Sequence, residues 1–439
     1  MSSSLHSKLR TTLLVGLAGA LGLSAISGLS GCKDEIDPPT LGTISINFAG
    51  NAAGAFEDGV LYKDGTQLTT VSEAFWSDRF SPGVYTFRYE KDCTDVSPSP
   101  EVVVDLAAGD DVTIDWYVAV QGGLEITSSI PGANIYINGQ DSGLTTPTTL
   151  ECLDPTTMTV RVDLLGAMTE GAAEQTVEIG PGLARTDFTL EPLPQKRGAL
   201  MEVLTATECP NCLPVDNAAE TLWESAELVA AGVTSLQIHH PWAQGVDPYH
   251  TQETWDRNSF YGAGDGSAGH PIRYTNGILR VQGAGDGNEE RIAGDMEAEA
   301  SQFLDQDALF AIHWIDITRT PGEKVVGHAR IFATDDVANP DITEVLGMVY
   351  KDRLQTRVRI HQNALETFFR VVRKIESAGT CSDLGLLHRG DYADVEFNFD
   401  ISWDTTWSED LMGAVILVQE TAWQQGEREV FNVRHITVE

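Results

Sequence analysis

A strand, a two-cysteine turn and a helix follow one another between residues 200 and 228, and this segment constrains the fold more than any other. The apolar run Leu200–Leu204 predicts a buried strand that ends at Thr205–Thr207. The turn Cys209-Pro-Asn-Cys212 comes next, and apolar residues at helical spacing follow it. In this strand–turn–helix context, the spacing of the two cysteines favours a redox site.

The pattern predicts a nucleophilic role for Cys209 and a resolving role for Cys212. Cys209 is expected at the helix N-terminus, where unpaired N–H groups favour a thiolate, with Pro210 at the first helical position. Cys212, one turn further in, would release a mixed disulfide. The carboxylate of Glu208 acts against the thiolate and weakens this activation.

Two other interpretations of the cysteine pair remain open. It can be a permanent structural disulfide, or it can bind zinc if two further ligands are available. The nearest candidates are His239 and His240. Adjacent side chains of a strand point to opposite faces, so we predict no metal site.

Residues 1–32 have the pattern of an export signal, with Lys8 and Arg10 before an apolar stretch that ends in Leu29-Ser-Gly-Cys32. This ending resembles the lipobox of bacterial lipoproteins, which implies lipidation of Cys32 and attachment to the membrane. Residues 33–40 would be a tether. The absence of aspartate after Cys32 favours the outer membrane of the bacterial cell envelope. A plain secretory signal or an uncleaved anchor are the alternatives.

The chain carries 65 acidic and 28 basic residues, a net charge of -37. A surface this acidic repels phosphate backbones, so we expect no nucleic-acid partner. The expected partners are the membrane and extracytoplasmic protein substrates, and no cofactor is predicted.

Short alternating segments between residues 41 and 194 predict small β domains, and this region repeats itself. Three blocks align at an offset of 73 or 74 residues, which predicts two β-sandwiches over 41–120 and 121–194. The aligned blocks are Tyr62–Gly65 with Tyr136–Gly139, Thr86–Tyr89 with Thr159–Val162, and Val104–Gly109 with Val177–Gly182.

The second copy resembles the PEGA domain, a small β-sandwich of bacterial envelope proteins. The resemblance rests on Pro131–Gly139, Gly143–Pro147 and the closing strands Val177–Leu190. It departs from the family at Leu165-Gly-Ala167, where a glycine-aromatic step is usual. Such modules are usually spacers or binding units.

Beyond a linker at 192–197, alternating strand and helix patterns predict an α/β domain over 198–305, and strands then predict a C-terminal β-sandwich over 306–439. The region from 198 to 439 resembles a thioredoxin fold, and more closely the Omp-twenty-eight-related family of outer-membrane lipoproteins. The matching residues are Glu202, Thr205-Ala206, Cys209–Cys212, Val233–His240, Asp247-Pro248, Thr254–Tyr261, Gly269–Gly277, Arg370–Arg373 and Val415–Val430.

The resemblance implies that Pro271 corresponds to the cis-proline that faces the disulfide, and that His270 presents backbone to a substrate strand. Ala206 and Glu208 depart from the family pattern. The sequence thus predicts a lipid-anchored protein that exchanges thiols and disulfides. The alternative is a non-catalytic binding protein whose CxxC is structural.

The remaining cysteines, Cys93, Cys152 and Cys381, leave the pairing open. Cys93 and Cys152 occupy non-equivalent places in the two repeats, which excludes a bridge within one copy but allows one between copies.

Overall fold

The computed structural model describes residues 40–241, 247–263, 269–320, 323–358, 364–402, 412–421 and 428–438. Cys32, the predicted signal and nearly all of the predicted tether lie outside these residues. The chain divides into two compact units. Among the described residues, the first comprises 40–49 with Phe56–Glu90 and Val96–Tyr117, and the second comprises the others.

The first β-sandwich contains eight strands. They are β1 (Gly42–Gly50), β2 (Val60–Lys63), β3 (Thr66–Thr70), β4 (Phe75–Phe80), β5 (Gly83–Glu90), β6 (Thr94–Ser97), β7 (Glu101–Leu106) and β8 (Asp111–Val120). They form two sheets of order β4-β1-β8-β6 and β3-β2-β5-β7. Alternate side chains point inward, and the Tyr89 ring of one sheet lies 6.0 Å from the Trp116 ring of the other.

The second sandwich repeats this plan. Its strands are β9 (Gly122–Ser128), β10 (Asn134–Ile137), β11 (Gln140–Thr145), β12 (Thr148–Leu153), β13 (Thr156–Asp163), β14 (Ala167–Glu170), β15 (Glu174–Ile179) and β16 (Gly182–Pro192). The sheet orders are β12-β9-β16-β14 and β11-β10-β13-β15. Each strand of the second sandwich therefore has its counterpart eight strands earlier in the chain.

The two copies also share a hairpin turn. Asp64-Gly65 and Asn138-Gly139 all have positive φ, as a two-residue hairpin turn requires. In both copies the first turn residue accepts a backbone N–H at 2.9 Å, from Thr86 in one and from Thr159 in the other.

The segment over 199–304 contains both strands and helices. Its elements are β17 (Ala199–Thr205), α1 (Leu213–Glu224), α2 (Ala226–Ala231), β18 (Val233–His239), α3 (Gln252–Phe260), β19 (Ile272–Thr275), β20 (Leu279–Gln282) and α4 (Glu289–Leu304). No helix among the described residues has the length and apolar character to cross a membrane.

The C-terminal segment is dominated by strands. It contains β21 (Phe310–Thr320), β22 (Lys324–Ala333), β23 (Thr343–Lys351), β24 (Leu354–Val358), β25 (Ala364–Phe368), β26 (Val371–Thr380), α5 (Cys381–Leu384), β27 (Tyr392–Asp400), β28 (Met412–Glu420) and β29 (Val430–Val438).

One eight-stranded sheet joins these last two segments, in the order β20-β19-β17-β18-β26-β23-β28-β29. The junction is a parallel contact between β18 and β26, at Gln237 and Val371. The predicted boundary at 305/306 therefore does not separate two sheets. Helices α1 and α4 cover one face at β17, while the sheet β21-β22-β27 packs on β23 and β28 through side chains such as Phe310, Val345 and Phe397.

Candidate functional site

The two cysteines of the CxxC motif form a disulfide at the carboxyl end of β17. All side chains of β17 are buried, and the chain turns as it leaves the sheet. Cys209 N–H donates to Ala206 at 3.1 Å, and Cys212 N–H donates to Cys209 at 3.3 Å. Pro210 and Asn211 form the exposed tip of this turn.

The helix begins later than the sequence pattern indicated. Cys212 is its N-cap and Leu213 its first residue, so Pro210 lies in the turn and Cys209 precedes the helix. The hydrogen bond from Cys212 N–H to the Cys209 carbonyl closes a separate turn before the hydrogen bonds of the helix begin. Cys212, rather than Cys209, is next to the helix amides.

Both cysteines are buried. Cys209 is 2% exposed and Cys212 is 1% exposed, and they cluster with Ala206. In the oxidised state, solvent therefore has almost no access to the two cysteine residues.

A buried carboxylate lies one helical turn after Cys212. Asp216 accepts a hydrogen bond from the Thr205 hydroxyl at 2.8 Å, and its other oxygen has no hydrogen-bond partner. Burial raises the pKa of Asp216 to about 7, and this outweighs the lowering by His239 and by the Thr205 hydroxyl. Asp216 can therefore hold or release a proton near neutral pH.

A second carboxylate is paired with His239. The His239 Nδ1 and Asp247 Oδ2 atoms lie 2.9 Å apart, and Thr207 N–H donates to the same oxygen at 2.8 Å. Burial alone would raise the pKa of Asp247, but its charge interaction and hydrogen bond with His239, and the amides of Thr207 and Tyr249, hold that pKa below its usual value. Asp247 thus ties the segment before Cys209 to the end of β18.

The neighbouring His240 follows the last residue of β18 and lies among other rings. Its ring stacks on Trp255 at 4.7 Å and on His270 at 5.5 Å. His270 is 7% exposed. Burial lowers its pKa to about 4, and His240 adds to this lowering.

Register places Pro271 beside the strand that leads to the disulfide. β19 pairs antiparallel with β17, with Ile272 opposite Leu204, so the preceding Pro271 lies next to Thr205. The His270–Pro271 peptide bond is cis. The structure thus places Pro271 next to the last residue of the strand that leads to Cys209 and Cys212.

Glu202, which the family resemblance singled out, forms a buried ion pair. It is fully buried, and Arg257 donates to its two oxygens at 2.7 and 2.8 Å. Tyr261 also donates to it. This ion pair joins β17 to α3.

Asp216, Asp247 and Trp255 were not predicted as site residues. The sequence did contain a signal for Asp216, because a charged residue is unusual on the buried face of a helix. The other buried residues of α1 are Val215, Ala218, Ala219 and Leu222. Among the described residues, no group of three or more His, Cys, Asp and Glu side chains is arranged to hold a metal ion.

Comparison with known proteins identifies one domain outside this site. The eight strands over 122–192 have the sandwich form described above, and the model of the PEGA domain matches residues 121–182. The second repeat is a PEGA domain. No curated protein matches the chain.

Two solved structures resemble the chain at low similarity. Protein AGR_C_4864 from Agrobacterium tumefaciens has 16% identity and a TM-score of 0.37, over 55% of this chain and 95% of its own. HBP35 of Porphyromonas gingivalis has 12% identity and a TM-score of 0.42, over 56% of this chain and 76% of its own.

The sandwich continues beyond the matched residues, because β16 runs to Pro192. Its core includes Phe332 and Ala311 from the C-terminal segment. A Cβ on Gly166 would lie 2.7 Å from Phe332, so glycine at this position allows close packing. The PEGA domain and the sheet β21-β22-β27 therefore share one core.

The other cysteines are now assigned. Cys93 and Cys152 form a disulfide between the two repeats, which was the alternative left open. Cys381 is a buried free thiol, and burial raises its pKa to about 12.

Proposed function

We propose that this chain is a lipid-anchored envelope protein that exchanges thiols and disulfides with extracytoplasmic proteins through Cys209 and Cys212. The observation that carries the proposal is the Cys209–Cys212 disulfide just after β17. The last residue of that strand, Thr205, lies next to Pro271 in strand register and donates a hydrogen bond to the buried Asp216. A redox disulfide needs a site of this kind, with a nearby substrate strand and a group that exchanges protons.

The strand order β20-β19-β17-β18, with helices on both faces, supports a thioredoxin-like unit of the Omp-twenty-eight-related type. By the same resemblance, His270 would present backbone to an extended substrate. The His270 ring stacks with that of His240, which in turn stacks on Trp255, and Trp255 is 37% exposed.

In the proposed reaction a substrate thiolate attacks Sγ of Cys209. The Cys209–Cys212 bond breaks and its electron pair leaves on Cys212, which takes up a proton. Asp216 follows Cys212 by four residues, so both side chains lie on the same face of α1. Because its pKa is about 7, Asp216 can supply that proton. A second substrate thiolate then releases the substrate disulfide, and the chain keeps two thiols.

Trapping tests this function. In a chain that carries Cys93→Ser and Cys152→Ser, the further change Cys212→Ser leaves the Cys209 thiol free. We expect it to form a stable mixed disulfide with a disulfide-bonded unfolded protein, identified by peptide mass spectrometry. Cys209→Ser in the same background is the matched control and should trap nothing. Equal trapping by both variants, or by neither, would contradict the assigned roles.

The burial of Cys209 favours a second candidate function. A residue that is 2% exposed is typical of a structural disulfide, and the β-sandwiches would then be the binding surfaces. The two functions differ in whether the Cys209–Cys212 disulfide can be reduced while the chain stays folded. A structural bridge should be reduced only together with unfolding, whereas an exchange site should be reduced in the folded chain.

The lipid anchor is proposed from the sequence of residues 29–32. Labelled fatty acid should be incorporated by the native chain and not by Cys32→Ala. Incorporation into both would contradict lipidation at this residue.

A further inference from the structure

The Cys93–Cys152 disulfide differs from the CxxC disulfide in its exposure. Cys152 is exposed and Cys93 is half-buried, whereas Cys209 and Cys212 are both buried. A thiol reagent in solution can therefore reach Cys152 without any change in the fold.

The backbone at both of these cysteines is unfavourable. Cys93 has φ 49° and Cys152 has φ 55°, in the left-handed region that favours glycine. Cys152 lies in a bulge of β12, where the pairing with β9 shifts between Leu150 and Leu153. Bulges often re-aim a side chain, and exposed or strained disulfides are the ones that exchange most readily.

We propose that Cys93–Cys152 is a second thiol-exchange site, at which a small cationic or neutral thiol attacks Cys152. The sulfur of the incoming thiolate bonds to Sγ of Cys152, and the bond between Cys152 and Cys93 breaks. The electron pair leaves on Cys93, which takes a proton from solvent. The products are a mixed disulfide on Cys152 and a free Cys93 thiol, so the small thiol is oxidised and Cys93 is reduced.

The charge around the Cys93–Cys152 bond determines whether cationic or anionic thiols approach it more readily. Four exposed carboxylates lie within two residues of the cysteines in sequence: Asp92, Asp95, Glu151 and Asp154. The single base in the same stretch, Lys91, donates to the carbonyl of Ala55 at 2.9 Å. This negative field repels an anionic thiol and attracts a cationic one.

Thiol exchange at this bond would remove the covalent contact that holds the segment Lys91–Asp95 and leave its hydrogen bonds. The segment belongs to the same compact unit as Cys152. Besides the disulfide, the Cys93 carbonyl accepts the Gln121 N–H at 2.9 Å, and Gln121 in turn donates to Asp154 at 2.7 Å. After exchange these hydrogen bonds remain, but the covalent link between the two repeats is lost.

The test uses the full oxidised chain with two small thiols of opposite charge, cysteamine and 3-mercaptopropionate. Samples are quenched in acid at intervals, and adducts are assigned by peptide mass spectrometry. We expect the first adduct on Cys152, before any on Cys209 or Cys212. Relative to the same chain in urea, folding should increase the rate ratio of cysteamine to mercaptopropionate by about three- to fivefold at low salt. At 1 M salt, where the screening length is about 3 Å, this increase should vanish.

Matched variants make the result decisive. Glu151→Gln with Asp154→Asn should lower the charge preference and keep Cys152 as the adduct site. Cys93→Ser should leave Cys152 as a single thiol that reacts rapidly with a disulfide reagent in the folded chain. The proposal is overturned if the bond resists both thiols until the chain unfolds, if the adduct forms on Cys93, or if the preference is the same with and without the two carboxylates.

Discussion

The Thr205 hydroxyl donates a hydrogen bond to Asp216 at 2.8 Å, across the base of the turn that holds the Cys209–Cys212 disulfide. This contact joins the last residue of β17 to the first turns of α1. It fixes a carboxyl with a pKa of about 7 one helical turn from Cys212. The pH behaviour of Asp216 is therefore a direct test of the site.

Asp216→Asn should stabilise the folded chain at pH 8 and change little at pH 4. The folded pKa of Asp216 is raised above its unfolded value, so its protonated form favours folding and stability is lost as pH rises from about 4 to about 7. The asparagine oxygen can still accept from Thr205. The gain should be on the order of 2–4 kcal/mol by urea denaturation. The same gain at both pH values would contradict the raised pKa.

His270→Asn should reduce the loss of stability in acid. Burial lowers the pKa of His270 from 6.5 to about 4, so its contribution is present above pH 6.5 and is lost as pH falls towards 4. Over this range, the free energy of unfolding of the variant should fall less than that of the native chain, by on the order of 2–3 kcal/mol. A fall of the same size in the variant and in the native chain would contradict the lowered pKa.

Arg257→Met should destabilise the chain by about 3–5 kcal/mol, because it leaves the Glu202 carboxylate buried without its partner. The double change Glu202→Gln with Arg257→Met removes both charges and should recover most of the loss. Urea denaturation at pH 7 measures both. If the double variant is as unstable as the single one, unpaired charge is not the cause.

Gly139→Ala should cost about 1–2 kcal/mol through backbone conformation alone. Gly139 has φ 78°, and no atom lies within 4 Å of an added Cβ. Gly180 also has open space around it and has no positive φ, so Gly180→Ala is the matched control and should be neutral or slightly stabilising. Equal effects at the two positions would argue against the hairpin turn.

Local patterns predicted the parts of this fold that local forces determine. The repeated blocks around Tyr62 and Tyr136 lie on equivalent strands, since alternation and turn residues specify a hairpin within a few residues. The cysteine turn after β17 was predicted for the same reason. Each of these features is encoded within a short stretch of chain.

Local sequence patterns did not predict the contacts between residues that are far apart in the sequence. The contact of Gln237 with Val371 joins strands that are far apart in sequence, and no short pattern encodes it. Asp247 was noted in the sequence, but its pairing with His239 depends on how the chain returns to β18. The start of α1 at Leu213 depended on one hydrogen bond within the cysteine turn, which helical periodicity does not report.

The redox equilibrium of Cys209 and Cys212 against glutathione tests the central claim most directly. It is measured on the chain with Cys93→Ser and Cys152→Ser, while the fold is followed by circular dichroism. We predict a potential between roughly −120 and −270 mV, in the range of exchange catalysts, with the fold intact in both states. A disulfide that resists reduction below about −300 mV, or that is reduced only as the chain unfolds, would contradict the account.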